Sequence, residues 1–212
     1  VASALEGLAK LHGSLWDNPL LEQQPWLQTS MATTVDNDQI KIMWGWIEKN
    51  LADPKTRALL PQALLDDPGR LQQAFEKLAD WEAQQTSPQC LILGDCHQGN
   101  TYLLPDGERM WLDWQLVRRG RPWRDVTYFM VGSLTVAERR SAERDMLKHY
   151  REALVATGAR GVISLDEIWQ QYRRWVMYGM QAWIANMDEW GQDGLPIKER
   201  FFTAGEDLGT WQ

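Results

Sequence analysis

The sequence predicts a mostly helical α+β fold with a short β-hairpin near its middle. Three observations lead there. Apolar residues recur at helical spacing on both sides of residue 90. Between them lies an apolar run, Cys90-Leu-Ile-Leu93, followed by two strand-like runs around Pro105-Asp-Gly107. Thr135 with Glu138 and Ser164 with Glu167 have capping-box spacing and open two long helices. At 212 residues the chain fits one domain, or one large lobe, with a substantial core.

In chain order, Leu5, Leu8, Leu11, Leu15 and Trp16 share one face of a first helix, Ala4 to Trp16, which Asn18-Pro19 breaks. Residues 20–35 read as a loop or lid. Asp36-Asn-Asp38 can cap a helix whose Ile42, Met43, Trp46, Ile47, Asn50 and Leu51 follow a helical period, until Asp53-Pro54 ends it. A short helix over Leu59 to Leu65 and a longer one from Asp67-Pro68 to about Thr86 come next, and the character changes at Ser87-Pro88. Thr101 to Leu104 and Arg109 to Leu112 are the hairpin strands of the one expected sheet. Pro122 suits the first turn of a helix ending near Gly132. The helix opened by Thr135 stops at Gly158, the one opened by Ser164 reaches Trp190, Gly191 to Gly194 ends it, and Pro196 begins the last.

The formal charge of −7 argues against nucleic acid or an anionic membrane as the main partner. No apolar run reaches the length of a membrane span, and no signal peptide is visible. Cys90 and Cys96 are the only cysteines, so neither a disulfide framework nor a zinc site is indicated, a pattern that a reducing cytoplasm permits.

The chemistry-bearing residues are Asp95, Asn100 and Asp113. The first two are five residues apart after a strand, and Asp113 follows the hairpin. Kinase catalytic loops, His-Arg-Asp-x-x-x-x-Asn, have the same Asp-to-Asn interval, and a later Asp binds metal. Phosphoryl transfer depends on positioning and electrostatics: a carboxylate accepts the proton of the attacking hydroxyl, and hard oxygen ligands hold magnesium. Asp95 suits the first task, Asn100 and Asp113 the second. Gly94 and Gly99 let the loop turn sharply.

Leu93-Gly-Asp-Cys-His-Gln-Gly-Asn100 and Leu112-Asp-Trp114 resemble the aminoglycoside phosphotransferase and choline kinase-like superfamily, whose loop reads His-Gly-Asp-x-His-x-x-Asn before a hydrophobic-Asp-Trp/Phe element. Arg121-Pro-Trp-Arg-Asp125-Val is similar to its Pro-x-x-Asp segment, and Leu8-Ala-Lys-Leu-His12 to its helix after the interlobe hinge. The resemblance implies the C-terminal lobe of a protein-kinase-like fold, with the hairpin carrying the catalytic loop. It implies an ATP- and Mg²⁺-dependent transfer of the γ-phosphoryl group to a hydroxyl of a small molecule. Asp95 would be the base, Asn100 and Asp113 the magnesium ligands, and Asp125 a buttress of the loop. His97 would hold Asp95 or contact phosphate.

Two departures stand against that pattern. Leu93 replaces the loop's first His, an expected loosening of Asp95. No Gly-x-Gly-x-x-Gly occurs, and the chain begins at Val1 within a helical segment. The expectation is therefore a single catalytic lobe over residues 1–212, with the upstream ATP-clamping β-rich lobe absent. The competing reading is an inactive lobe that binds a small molecule or a protein. A two-metal phosphoesterase would need further His and Asp ligands, and His12 and His149 lie in amphipathic helices as structural residues.

The remaining candidates have plainer readings. Cys96 fills the loop, Arg118-Arg-Gly-Arg121 is a solvated loop with phosphate contact as the minority reading, and Glu138 to Glu152 is an exposed helix face. Ile168, Tyr172, Trp175, Val176, Met180, Trp183, Ile184 and Met187 form a core stripe. Trp114 and Trp190 are weaker candidates for an acceptor cleft. The acceptor itself stays open among aminoglycosides, choline-like alcohols, amino sugars, steroids and other hydroxylated compounds.

Overall fold

The computed structural model describes residues 1–29, 38–85, 88–185 and 194–211. Among them are α1 (Ala2–Ser14), α2 (Asp38–Ala52), α3 (Pro54–Arg57), α4 (Gln62–Asp66), α5 (Gly69–Ala83), β1 (Cys90–Ile92), β2 (Thr101–Leu103), β3 (Arg109–Trp111), β4 (Arg118–Gly120), α6 (Trp123–Ser133), α7 (Val136–Ala156), α8 (Leu165–Ala185) and α9 (Leu195–Leu208). The mostly helical α+β expectation holds.

The core forms around α8, against which α2, α5, α6 and α9 all pack. Its Ile168, Tyr172, Trp175, Val176, Met180, Trp183 and Ile184 are buried, as their helical spacing requires. A Cβ at Gly179 would meet the Phe201 ring at 2.0 Å, so glycine's small size is what lets α9 close on α8. On the other side α1 packs along α7. Both long helices begin with the reciprocal hydrogen bonds of a capping box, Thr135 with Glu138 and Ser164 with Glu167.

Several sequence expectations are corrected. The first helix ends at Ser14, not Trp16, and its buried stripe is Ala4, Leu5, Leu8, Ala9 and His12. In α2 the buried side is Trp44, Ile47 and Asn50, while Ile42 and Trp46 are over half exposed. The apolar period identified the helix but placed its face one residue off. The short helix expected over Leu59 to Leu65 is α4, shifted to Gln62–Asp66. Residues 36, 37, 86, 87, 187 and 190–193, which carried the expected cap, boundaries and acceptor-facing Trp190, lie outside the described residues.

The expected single sheet is two. β2 and β3 form the antiparallel hairpin, Thr101 opposite Trp111 and Leu103 opposite Arg109. Gly107 closes its turn at φ 88°. β1 pairs antiparallel with a strand the sequence hid, β4, with Cys90 opposite Gly120 and Ile92 opposite Arg118. The segment read as a solvated loop is therefore structured. Arg118 is half-buried and donates to Gln28 Oε1 at 2.8 Å, and Arg121 is buried and paired with Glu82 at 3.1 Å. Arg139 also departs from its expected exposed face: it is 1 % exposed and ion-paired to Glu143 and to Asp207, tying α7 to α9.

Candidate active site

β1 delivers the chain into the loop at Leu93, and α6 clamps it there. Leu93 N–H and Gly94 N–H donate to the two carboxylate oxygens of Asp125 at 2.6 and 3.1 Å. Arg124 donates to the Gly94 carbonyl at 3.1 Å. Adjacent residues in the first turn of α6 thus hold both polar groups of one peptide residue. The helix N-terminus is also where a carboxylate is favoured. Gly94 sits at φ 87°, and a Cβ there would lie 2.2 Å from the Leu116 carbonyl oxygen. Only glycine satisfies both conditions without displacing the segment that follows Asp113.

Behind Asp125 is a second tier. His12 of α1 is fully buried, with Nε2 3.4 Å from Asp125 and Nδ1 2.8 Å from the Tyr150 hydroxyl. Burial pushes the Tyr150 hydroxyl pKa well up, with the Cys90 and Asp125 charges adding to the effect, so it stays protonated and can donate to Nδ1. The ring hydrogen then belongs on Nε2, facing Asp125. His12 is structural, as its helical context suggested, and the structure it serves is the loop's brace.

Beyond Gly94 the loop folds on itself. His97 N–H donates to the Asp95 carbonyl at 3.2 Å, and the Asn100 side-chain amide donates to the same carbonyl at 2.9 Å. That second bond fixes the Asn100 amide plane and leaves its oxygen as the remaining acceptor. His97 Nδ1 accepts from Gly99 N–H at 3.1 Å, which puts the neutral ring's hydrogen on Nε2, 3.9 Å from Asp95 Oδ2. The separation exceeds a hydrogen bond. Gly99 differs from the expectation: its φ is not positive, and a Cβ there would meet the His97 ring at 2.9 Å, so a larger residue would push that ring aside.

The hairpin then returns Asp113. Leu112 N–H donates to the Asn100 carbonyl at 2.9 Å, extending the β2–β3 ladder by one bond and bringing the residue before Asp113 against the end of the loop. Asp113 is exposed and left-handed, at φ 56° and ψ 75°. Among the described residues its carboxylate accepts two long bonds, both from Gln115, at 3.4 and 3.3 Å. Asp tolerates this conformation better than most residues because its carboxylate can bond the backbone locally, here to Gln115 N–H. Among the described residues, no three His, Cys, Asp or Glu side chains could hold a metal by themselves. The Asn100 oxygen and the weakly engaged Asp113 carboxylate do fit the hard, partial ligand set that Mg²⁺ takes when phosphate and water complete its shell.

Sequence reasoning missed three residues around the loop. Arg124 stacks on Tyr178 at 4.0 Å and donates to its hydroxyl, and Tyr178 lies against Gly94 O at 3.4 Å. Tyr128 is buried, and burial, followed by the nearby Asp95 charge, raises its pKa well above the ordinary value. The Arg immediately before Asp125 was the one available signal. Cys96 is the loop filler expected of it: burial, then the charge of Asp125, raises its thiol pKa well above normal, so it is no nucleophile at neutral pH. Trp114 is partly exposed, its indole N–H donating to Trp111 O at 3.1 Å.

The sequence profile of the phosphotransferase enzyme family (APH) matches residues 2–163, from α1 through α7 and including the loop, hairpin and clamp. The chain belongs to that family. No curated protein matches the sequence. Among the described residues, no helix is long and apolar enough to cross a membrane.

Proposed function

We propose that this member of the phosphotransferase enzyme family transfers the γ-phosphoryl group of ATP to a hydroxyl of a small molecule, with Asp95 as general base. What carries the reading is the convergence of loop and hairpin: Asn100 is bonded to Asp95 O by its side chain and to Leu112 N–H by its carbonyl. Asp95, with its side chain about a quarter exposed, accepts the acceptor's proton as the hydroxyl oxygen attacks the γ-phosphorus and ADP leaves. Asn100 and Asp113 would hold Mg²⁺, which when bound neutralises charge on the phosphates. His97 stands beside Asp95, with Nε2 3.9 Å from its carboxylate, and steadies it electrostatically, and Asp125 positions the loop. The acceptor is a small hydroxylated compound rather than a nucleic acid, in keeping with the net charge of −7.

Transfer from γ-labelled ATP to hydroxylated acceptors, with Mg²⁺ present, tests the assignment. Asp95→Ala should cut turnover by about 10²- to 10⁴-fold while leaving the denaturation midpoint unchanged. Transfer retained by that variant would sink the role of Asp95. The second reading, an inactive lobe that binds a metabolite or partner, is favoured by Leu93 in place of the family's His. Absence of MgATP binding to the chain would favour that reading.

A further inference from the structure

A cavity of about 500 Å³ opens between α5, α8 and the turn after α9, and neither the 93–100 loop nor Asp113 lines it. Its size falls within the roughly 300–1,000 Å³ typical of small-molecule sites. Leu78 and Met177 give it an apolar floor, and the Trp81 and Trp211 rings stand in its wall. Arg70, Lys77 and Arg174 line it against a single carboxylate, Asp67, in a protein whose overall charge is −7. Lys77 and Arg174 form no ion pair among the described residues.

The cationic wall is partly preorganised. The Arg174 guanidinium lies 4.6 Å from the centre of the Trp81 ring, and Arg121 lies 4.4 Å from it. Arg121 is itself held by Glu82 at 3.1 Å. A guanidinium stacked on an indole has its plane fixed and its edge N–H groups directed sideways, ready for an anion's oxygens. We propose that this cavity binds a small planar aromatic anion, an aryl carboxylate, sulfonate or phosphate. Its ring would lie over Leu78 and Met177 beside the tryptophan rings, and its charge would be met by Lys77 and Arg174. This site is separate from the phosphotransfer reading and does not depend on it.

Naphthalene-2-sulfonate, with the neutral naphthalene-2-sulfonamide as its matched control, tests the proposal by titration into ¹⁵N-labelled protein. The sulfonate should shift the Trp81 and Trp211 indole N–H signals saturably, and the sulfonamide should bind about tenfold more weakly. Lys77→Ala and Arg174→Ala, both at exposed positions, should each weaken the sulfonate about five- to tenfold and leave the sulfonamide unchanged. Equal binding of the two probes, indifference to both substitutions, or shifts centred elsewhere would overturn it.

Discussion

On the loop side of the candidate site, α6 takes both backbone polar groups of Gly94 and a buried His–Tyr pair stands behind the clamp. On the hairpin side, Asp113 stands exposed in a left-handed conformation, with two hydrogen bonds longer than 3.2 Å. The two sides meet where Gly94 packs on the Leu116 carbonyl. On the proposed reading, the difference follows from what each side would have to do. A general base held in place before the acceptor arrives calls for a loop built into the core. A ligand to a metal arriving with nucleotide would need to stay reachable, as the exposed Asp113 carboxylate is.

The largest expected effect breaks the rigid side. Asp125→Ala removes the acceptor for two buried N–H groups and the partner of His12, and should cost about 3–5 kcal/mol in urea denaturation. A loss under about 1 kcal/mol would mean the clamp is incidental. A smaller effect concerns the ionic tie between α7 and α9. Hydrogen bonds from Arg140 and Arg139 hold the Asp207 pKa below its ordinary 3.8. A carboxylate with a depressed folded pKa stabilises the fold above its unfolded value and loses that contribution as pH falls through the folded one. Thermal stability should therefore decline on acidification below about pH 4, and Asp207→Asn should flatten that part of the profile. An unchanged acid limb would contradict the tie. The smallest expected effect sharpens the contrast. Asp113→Gly places glycine in a left-handed conformation that it adopts freely and should change stability by less than about 0.5 kcal/mol while abolishing any Mg²⁺-dependent response. Marked destabilisation would show that Asp113 is structural.

Legibility in the sequence followed the physical origin of each feature. Capping boxes, the Pro-Asp-Gly turn and the α8 stripe depend on local residue chemistry, and all could be read directly. The loop's spacing was legible because Asp95, Asn100 and Asp113 are chemically distinctive. β4 was hidden because Arg118-Arg-Gly120 has no apolar alternation; its pairing with β1 rests on backbone hydrogen bonds, which any sequence can make. The face of α2 was misplaced because Ile42 and Trp46 are apolar yet exposed, and apolar surface residues are common. Arg139 reads as a surface charge in a charged helix, and its burial rests on Glu143 together with Asp207 from α9, 68 residues later. Within the site, the clamp of Arg124 and Tyr178 joins residues 54 apart and has no local signature.

If loop and hairpin converge on one metal-dependent site, Mn²⁺, a paramagnetic stand-in for Mg²⁺, will report it residue by residue. Titrated with ATP into ¹⁵N-labelled protein, Mn²⁺ should broaden first the Asn100 side-chain amide and the Asp113 backbone amide, then Asp95. The Asp113→Ala variant should lose that pattern while its spectrum stays dispersed. Broadening scattered over surface carboxylates, or a pattern at Asn100 unchanged by the substitution, would contradict the account.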